Sequence, residues 1–133
     1  MTSDLSIRVL VDEDHKVVRQ GIVAILNQQE NITVVAEAKN GKEAIALHAT
    51  HQPDVTLMDL RMPQMEGLEA IIQIREATPK AYIIILTTYD TDEDIYRGLQ
   101  AGARGYLLKD ATAKDLTKAV NQVAKGKRFI PSN

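Results

Sequence analysis

Five short apolar runs recur along the chain at nearly even spacing: Ile7–Val11, Ile32–Ala36, Val55–Met58, Tyr82–Leu86 and Tyr106–Leu108. Three of them, and Ile83-Ile84-Ile85-Leu86 above all, show no alternation of apolar with polar residues. A strand of that kind has no face to give to water, so it must be covered on both sides. The intervening segments carry apolar residues at helical spacing, as at 18, 22, 25 and 26. Strands alternating with helices at this interval specify βαβ units and a parallel sheet covered on both faces. The spacing predicts helices over 17–29, 42–51, 66–77 and 90–101, and a last one starting at the cap Thr112 and closing at Gly126. Asp14 is the expected cap of the first helix, and Asn40-Gly41 a turn. In the third helix Leu68, Ile71, Ile72 and Arg75 fall along one side. Five such units suit the flavodoxin-like doubly wound sheet with strand order 2-1-3-4-5.

Length and composition narrow the function. With 133 residues the chain is expected to be one domain, its core spanning about 7–130. A net charge of −2 gives no basic surface for gripping nucleic acid. There is no cysteine, which excludes disulfides and thiolate metal sites and suits a cytoplasmic protein. Met1-Thr2-Ser3-Asp4 does not open a signal peptide, and no apolar run is long enough for a membrane span.

The ends of the strands carry the chemistry. In open α/β sheets ligands bind beyond the carboxyl ends of the strands. The third run delivers Asp59 and is stopped by Met62-Pro63. In the 2-1-3-4-5 order its neighbours end in Asp12-Glu13-Asp14 on one side and Thr87 on the other, with Lys109 one strand further. Carboxylates converging on one edge repel one another, and a hard divalent cation with oxygen ligands, Mg²⁺, relieves this. A carboxylate can act as a nucleophile. Phosphoryl transfer needs mainly charge neutralisation on the phosphoryl oxygens, which the metal, the Thr87 hydroxyl and Lys109 would supply. Asp59 is therefore expected to accept a phosphoryl group. Each residue also has a plainer reading: Asp59 as a turn carboxylate, Thr87 as a strand former, Lys109 as a surface charge, Tyr106 as half-buried packing. His15, His48 and His51 share no ligand spacing with the acids.

Glu13-Asp14, Met58-Asp59-Leu60-Arg61-Met62-Pro63, Leu86-Thr87-Thr88 and Gly105-Tyr106-Leu107-Leu108-Lys109-Asp110 follow one another on the expected elements. Together they resemble the response-regulator receiver (CheY-like) domain of two-component signalling, over essentially the whole chain. Asp14-His15-Lys16-Val17-Val18-Arg19-Gln20-Gly21 and Ala101-Gly102-Ala103-Arg104-Gly105-Tyr106 resemble the NarL/LuxR subfamily. The resemblance implies a regulatory domain rather than a turnover enzyme. Asp59 would take its phosphoryl group from a sensor histidine kinase. Glu13, Asp14, Asp59 and the Arg61 backbone carbonyl would hold Mg²⁺. Thr87 and Tyr106 would switch together, and Arg61 and Thr88 would tune the lifetime of the phosphoryl group. The output would be homodimerisation and control of a C-terminal helix-turn-helix domain that regulates transcription and is expected to lie outside this chain.

Two features depart from that pattern. The acid pair after the first strand is Glu13-Asp14, with a third acid, Asp12, before it, so that either Asp12 or Glu13 could face the metal. Asp110 stands where receivers have proline after the lysine, which predicts a trans bond. The rival readings are a stand-alone regulator acting by protein contact, a pseudo-receiver that works without phosphorylation, and a haloacid-dehalogenase-type phosphatase. The last needs a second Asp two residues after the nucleophile, where this chain has Arg61.

Overall fold

The computed structural model describes residues 6–61, 67–89, 91 and 93–131. Its strands are β1 (Ile7–Asp12), β2 (Ile32–Ala38), β3 (Val55–Asp59), β4 (Ile83–Thr87) and β5 (Gly105–Leu108). They alternate with α1 (Lys16–Asn27), α2 (Gly41–His51), α3 (Gly67–Ala77), α4 (Glu93–Gln100) and α5 (Ala113–Ala124). All strand pairs are parallel, and the order is β2-β1-β3-β4-β5, as expected. Every residue of β3 and β4 is buried, Thr56, Asp59 and Thr87 included, as central strands covered on both faces require.

Side chains alternate across the sheet and divide the core in two. Val9, Val11, Val55, Leu57, Ile84 and Leu86 pack against α1 and α5. Leu10, Met58, Leu60, Ile83 and Ile85 pack against α2, α3 and α4. The helix ends follow local chemistry. Asn40 accepts from the Glu43 amide at 2.9 Å while the Glu43 carboxylate accepts from the Lys39 amide at 2.9 Å, so a reciprocal cap starts α2. Thr112 caps α5 by accepting from the Asp115 amide at 3.1 Å.

Several expectations change. The cap of α1 is His15, not Asp14, and it makes no side-chain capping bond. The inner side of α3 is Ala70, Ile71 and Ile74; Ile72 is exposed, and Arg75 turns back to the carbonyls of Pro79 and Ala81. The aliphatic stem of Arg75 had extended the apparent stripe by one position. In α2 the buried residues include His48 as well as Ala44. Helix α4 begins at Glu93, and Met62, Pro63, Glu66 and Asp90 lie outside the described residues. The segment at Arg128–Pro131 is more than a tail: Phe129 bridges β5 in parallel, its carbonyl accepting from the Tyr106 amide at 3.1 Å. Among the described residues every peptide bond is trans, including that before Asp110.

Gly67 sets how closely α3 approaches the end of β3. A Cβ at this position would collide with the backbone carbonyl oxygen of Asp59 and with the Leu60 Cα. The Gly67 amide meanwhile donates to the Leu60 carbonyl at 3.1 Å. Backbone cannot yield as a side chain can, so added volume must displace the helix or the strand end. Gly67→Ala is expected to destabilise the fold by about 1–3 kcal/mol in urea unfolding.

Candidate functional site

The carboxyl edge of the sheet brings Asp59, Glu13, Asp14 and Lys109 together. Asp59 ends β3, and both it and Glu13 are fully buried. Lys109 follows β5, and its Nζ lies 3.0 Å from Asp59 Oδ2 and 3.1 Å from Glu13 Oε1. It donates to Glu13 Oε2 as well, at 3.2 Å. The Lys109 amide donates to the Thr87 carbonyl at 2.8 Å, so β4 fixes where the lysine starts. The second Asp59 oxygen accepts from the Arg61 amide at 3.1 Å. Thr87, also buried, donates its hydroxyl to the Tyr89 carbonyl at 3.3 Å. Tyr106 on β5 is half-buried.

The balance of charge is uneven: one ammonium serves both Asp59 and Glu13, with a third carboxylate, Asp14, beside them. Burial, and after it the charge of Glu13, pushes the Asp59 carboxyl up to about 7, although the hydrogen bonds from Lys109 and Arg61 pull the other way. For Lys109, burial alone would lower the pKa, but Asp59 and Glu13 outweigh it and hold it above the ordinary lysine value.

Ligand atoms of Glu13, Asp14, His15 and Asp59 all lie within 4.8 Å of one another. Asp14 Oδ1 is buried and makes no hydrogen bond among the described residues. A buried carboxylate oxygen without a hydrogen bond, approached only by the His15 ring at 3.4 Å and lying beside two further acids, fits a hard divalent cation. His15 has no ligand spacing with the acids in sequence but lies next to them, and its Nδ1 is 3.0 Å from Glu13 Oε2 and 3.4 Å from Asp14 Oδ1. The signal was adjacency, and only the turn after β1 shows that the ring folds back.

Asp12 does not join this cluster. It closes β1 two residues after Leu10, on the face that packs against α2 and α3. It is fully buried, and neither of its carboxyl oxygens has a hydrogen-bond partner among the described residues. Burial, then the charges of Asp59, Glu13, Glu43 and Asp14, pushes its pKa up to about 8. Its buried setting therefore favours the neutral acid over the carboxylate.

A further arrangement had no sequence signal. Asp94, in the first turn of α4, lies 2.8 Å from Arg61 Nη1 and 3.5 Å from Arg97 Nη1. An open cleft of about 580 Å³ lies between these groups and Thr87, Thr88 and Thr91.

The response regulator receiver domain model matches residues 9–121. The chain belongs to that family. It is 44% identical over 124 residues to YxjL of Bacillus subtilis, described as an uncharacterized transcriptional regulatory protein, covering 93% of this chain and 57% of that one. It spans just over half the length of the curated relatives it matches. Among solved structures, the receiver domain of the Mycobacterium tuberculosis regulator NarL superposes with a TM-score of 0.87 at 38% identity, covering 92% of this chain and 98% of that one. The isolated receiver of Salmonella enterica RcsB, solved in the presence of the phosphomimetic BeF₃⁻, gives 0.86 at 30% identity, covering 96% and 94%. The receiver is thus of the NarL/LuxR type, a regulatory domain of phosphorylation-dependent two-component signalling. Among the described residues no helix is long and apolar enough to cross a membrane.

The buried Asp12 carboxyl has a measurable consequence. Its folded pKa of about 8 exceeds the ordinary 3.8, so between those values the folded chain holds a proton that the unfolded chain has lost. Stability from this group is therefore full below about pH 4 and falls as pH rises towards 8. Asp12→Val should stabilise the domain by roughly 1–3 kcal/mol at pH 7 and flatten that decline, read by urea unfolding across the pH range.

Proposed function

We propose that Asp59 is the phosphoryl acceptor of this receiver, with Lys109 and Thr87 as its partners in the transfer. The observation that carries this reading is the Lys109–Asp59 contact of 3.0 Å at a fully buried carboxylate. Lys109 aims positive charge at the oxygen that would carry the phosphoryl group, and its second partner, Glu13, fixes its direction. A preorganised ammonium in a site closed to water stabilises charge developing on a phosphoryl oxygen better than solvent does. The Thr87 hydroxyl donates to the Tyr89 carbonyl at 3.3 Å, a long bond that a phosphoryl oxygen could replace.

Glu13, Asp14, Asp59 and the Arg61 carbonyl are the groups that would hold Mg²⁺. The ion would supply neutralising charge for phosphoryl oxygens that one lysine cannot balance alone. Burial of Asp59 keeps bulk water from the acyl phosphate, and Arg61 and Thr88, at the mouth of the cleft beside it, tune how fast water enters.

Phosphorylation adds about −1.5 to −2 charge at the edge of β3. That charge biases an existing equilibrium between two arrangements of the face built from α4, β5 and α5, with Thr87 and Tyr106 moving together. In the cytoplasm a sensor histidine kinase supplies the phosphoryl group. The changed face controls dimerisation and a DNA-binding domain beyond this chain, as suits relatives of which it spans just over half.

Addition of BeF₃⁻ with Mg²⁺ should give a bound signal in fluorine NMR and shift the amide resonances of Asp59, Thr87 and Tyr106. Asp59→Asn should abolish both. A bound signal that persists in Asp59→Asn, or none in the unaltered protein, would overturn the assignment.

A further inference from the structure

Arg61 is placed twice. Its backbone amide donates to Asp59 Oδ1 at 3.1 Å, while its guanidinium is 2.8 Å from Asp94 Oδ2. The other Asp94 oxygen is 3.5 Å from Arg97, one turn along α4. One carboxylate thus lies between two guanidiniums. The exposures are unequal: the Asp94 side chain is 16% exposed, those of Arg61 and Arg97 57% and 66%. The cleft of about 580 Å³ beside them is also lined by Thr87, the last residue of β4, one position beyond the Leu86 that pairs with Asp59. It is open to solvent and borders the Asp59 end of β3 through Arg61 and Thr87.

We propose that Asp94 is a positioning residue for phosphoryl transfer from small anionic donors: it competes with the incoming donor for the Arg61 guanidinium. The proposal rests on Asp59 being the acceptor. A guanidinium presents a planar fork that matches phosphate oxygens. An acyl phosphate entering the cleft carries negative charge toward a site already rich in carboxylates, and needs a cation before it reaches Lys109. Arg61, two residues from Asp59, sets its guanidinium at the rim of that cleft, where Asp94 engages it. An ion pair this open to solvent is worth little, so the guanidinium can exchange partners. In the transfer, an Asp59 oxygen bonds to phosphorus and the bond from phosphorus to the donor's leaving oxygen breaks. With acetyl phosphate, acetate departs with the electron pair.

The test is the rate of Asp59 phosphorylation against acetyl phosphate concentration, with saturating Mg²⁺ at low ionic strength. Asp94→Asn should lower the half-saturating concentration about twofold to fivefold and leave the maximal rate unchanged. Added salt should shrink the difference. Asp94→Glu, which keeps the charge, should behave as the unaltered protein does. Arg61→Gln alone should raise the half-saturating concentration, and in that background Asp94→Asn should have no effect. The same change in both backgrounds, or no change from Asp94→Asn while the unaltered protein is phosphorylated, would overturn the proposal. Failure of the unaltered protein to be phosphorylated at all would instead overturn the acceptor assignment, and this proposal with it.

Discussion

A carboxylate stripped of solvent at the end of β3 is tolerable only because an ammonium from the end of β5 reaches across to it. Taking either ion out of water costs several kcal/mol, and their contact at 3.0 Å offsets much of that cost but not all. The remainder appears as the raised pKa of Asp59, whose burial and proximity to Glu13 outweigh its hydrogen bonds. The site is therefore held short of positive charge by its own architecture. A second cation, or a group whose negative charge is spread over several oxygens and shared with a metal, completes what Lys109 begins. The parallel sheet makes this possible, since it collects the ends of β1, β3, β4 and β5 on one edge.

The surrounding structure serves that contact. Thr87 anchors the Lys109 backbone, Arg61 ties the second Asp59 oxygen to the loop after β3, and Gly67 lets α3 close over the Asp59 carbonyl. Each link runs through backbone, so the positions of the charged groups are fixed by the fold rather than by flexible side chains. Arg61 differs in having a second link, through its guanidinium to α4. Any change in the charge at Asp59 is thus one residue away from a helix on the surface. Asp12 runs against this economy. It takes a core position on β1 with a carboxyl group that has no hydrogen-bond partner among the described residues.

Much of this was legible in the sequence, because the fold depends on patterns that sequence preserves. Runs such as Ile83–Leu86 can only be strands covered on both faces, and five of them alternating with helices leave few topologies. Once the strand order follows, Asp59, Glu13, Asp14, Thr87 and Lys109 fall on one edge without further information. What sequence could not supply was direction. Arg75 extended the apolar stripe of α3 in projection, yet its head group folds back to backbone carbonyls. His15 was adjacent to the acids in sequence, but only the turn after β1 shows that its ring faces Glu13. The choice between Asp12 and Glu13 depended on strand parity at the last residue of β1, where a one-residue difference sends a side chain to the opposite face. The pairing of Arg61 with Asp94 spans two loops and has no local signature.

The central claim is chemical: one carboxylate, Asp59, carries the phosphoryl group. Borohydride reduces an acyl phosphate and leaves homoserine where aspartate stood, so it marks the site covalently. After incubation with acetyl phosphate and Mg²⁺, reduction and peptide mass mapping should find homoserine at position 59 and nowhere among Asp12, Glu13 and Asp14. Modification at one of those acids instead, or an unmodified Asp59 in protein that has taken up phosphate, would contradict the account.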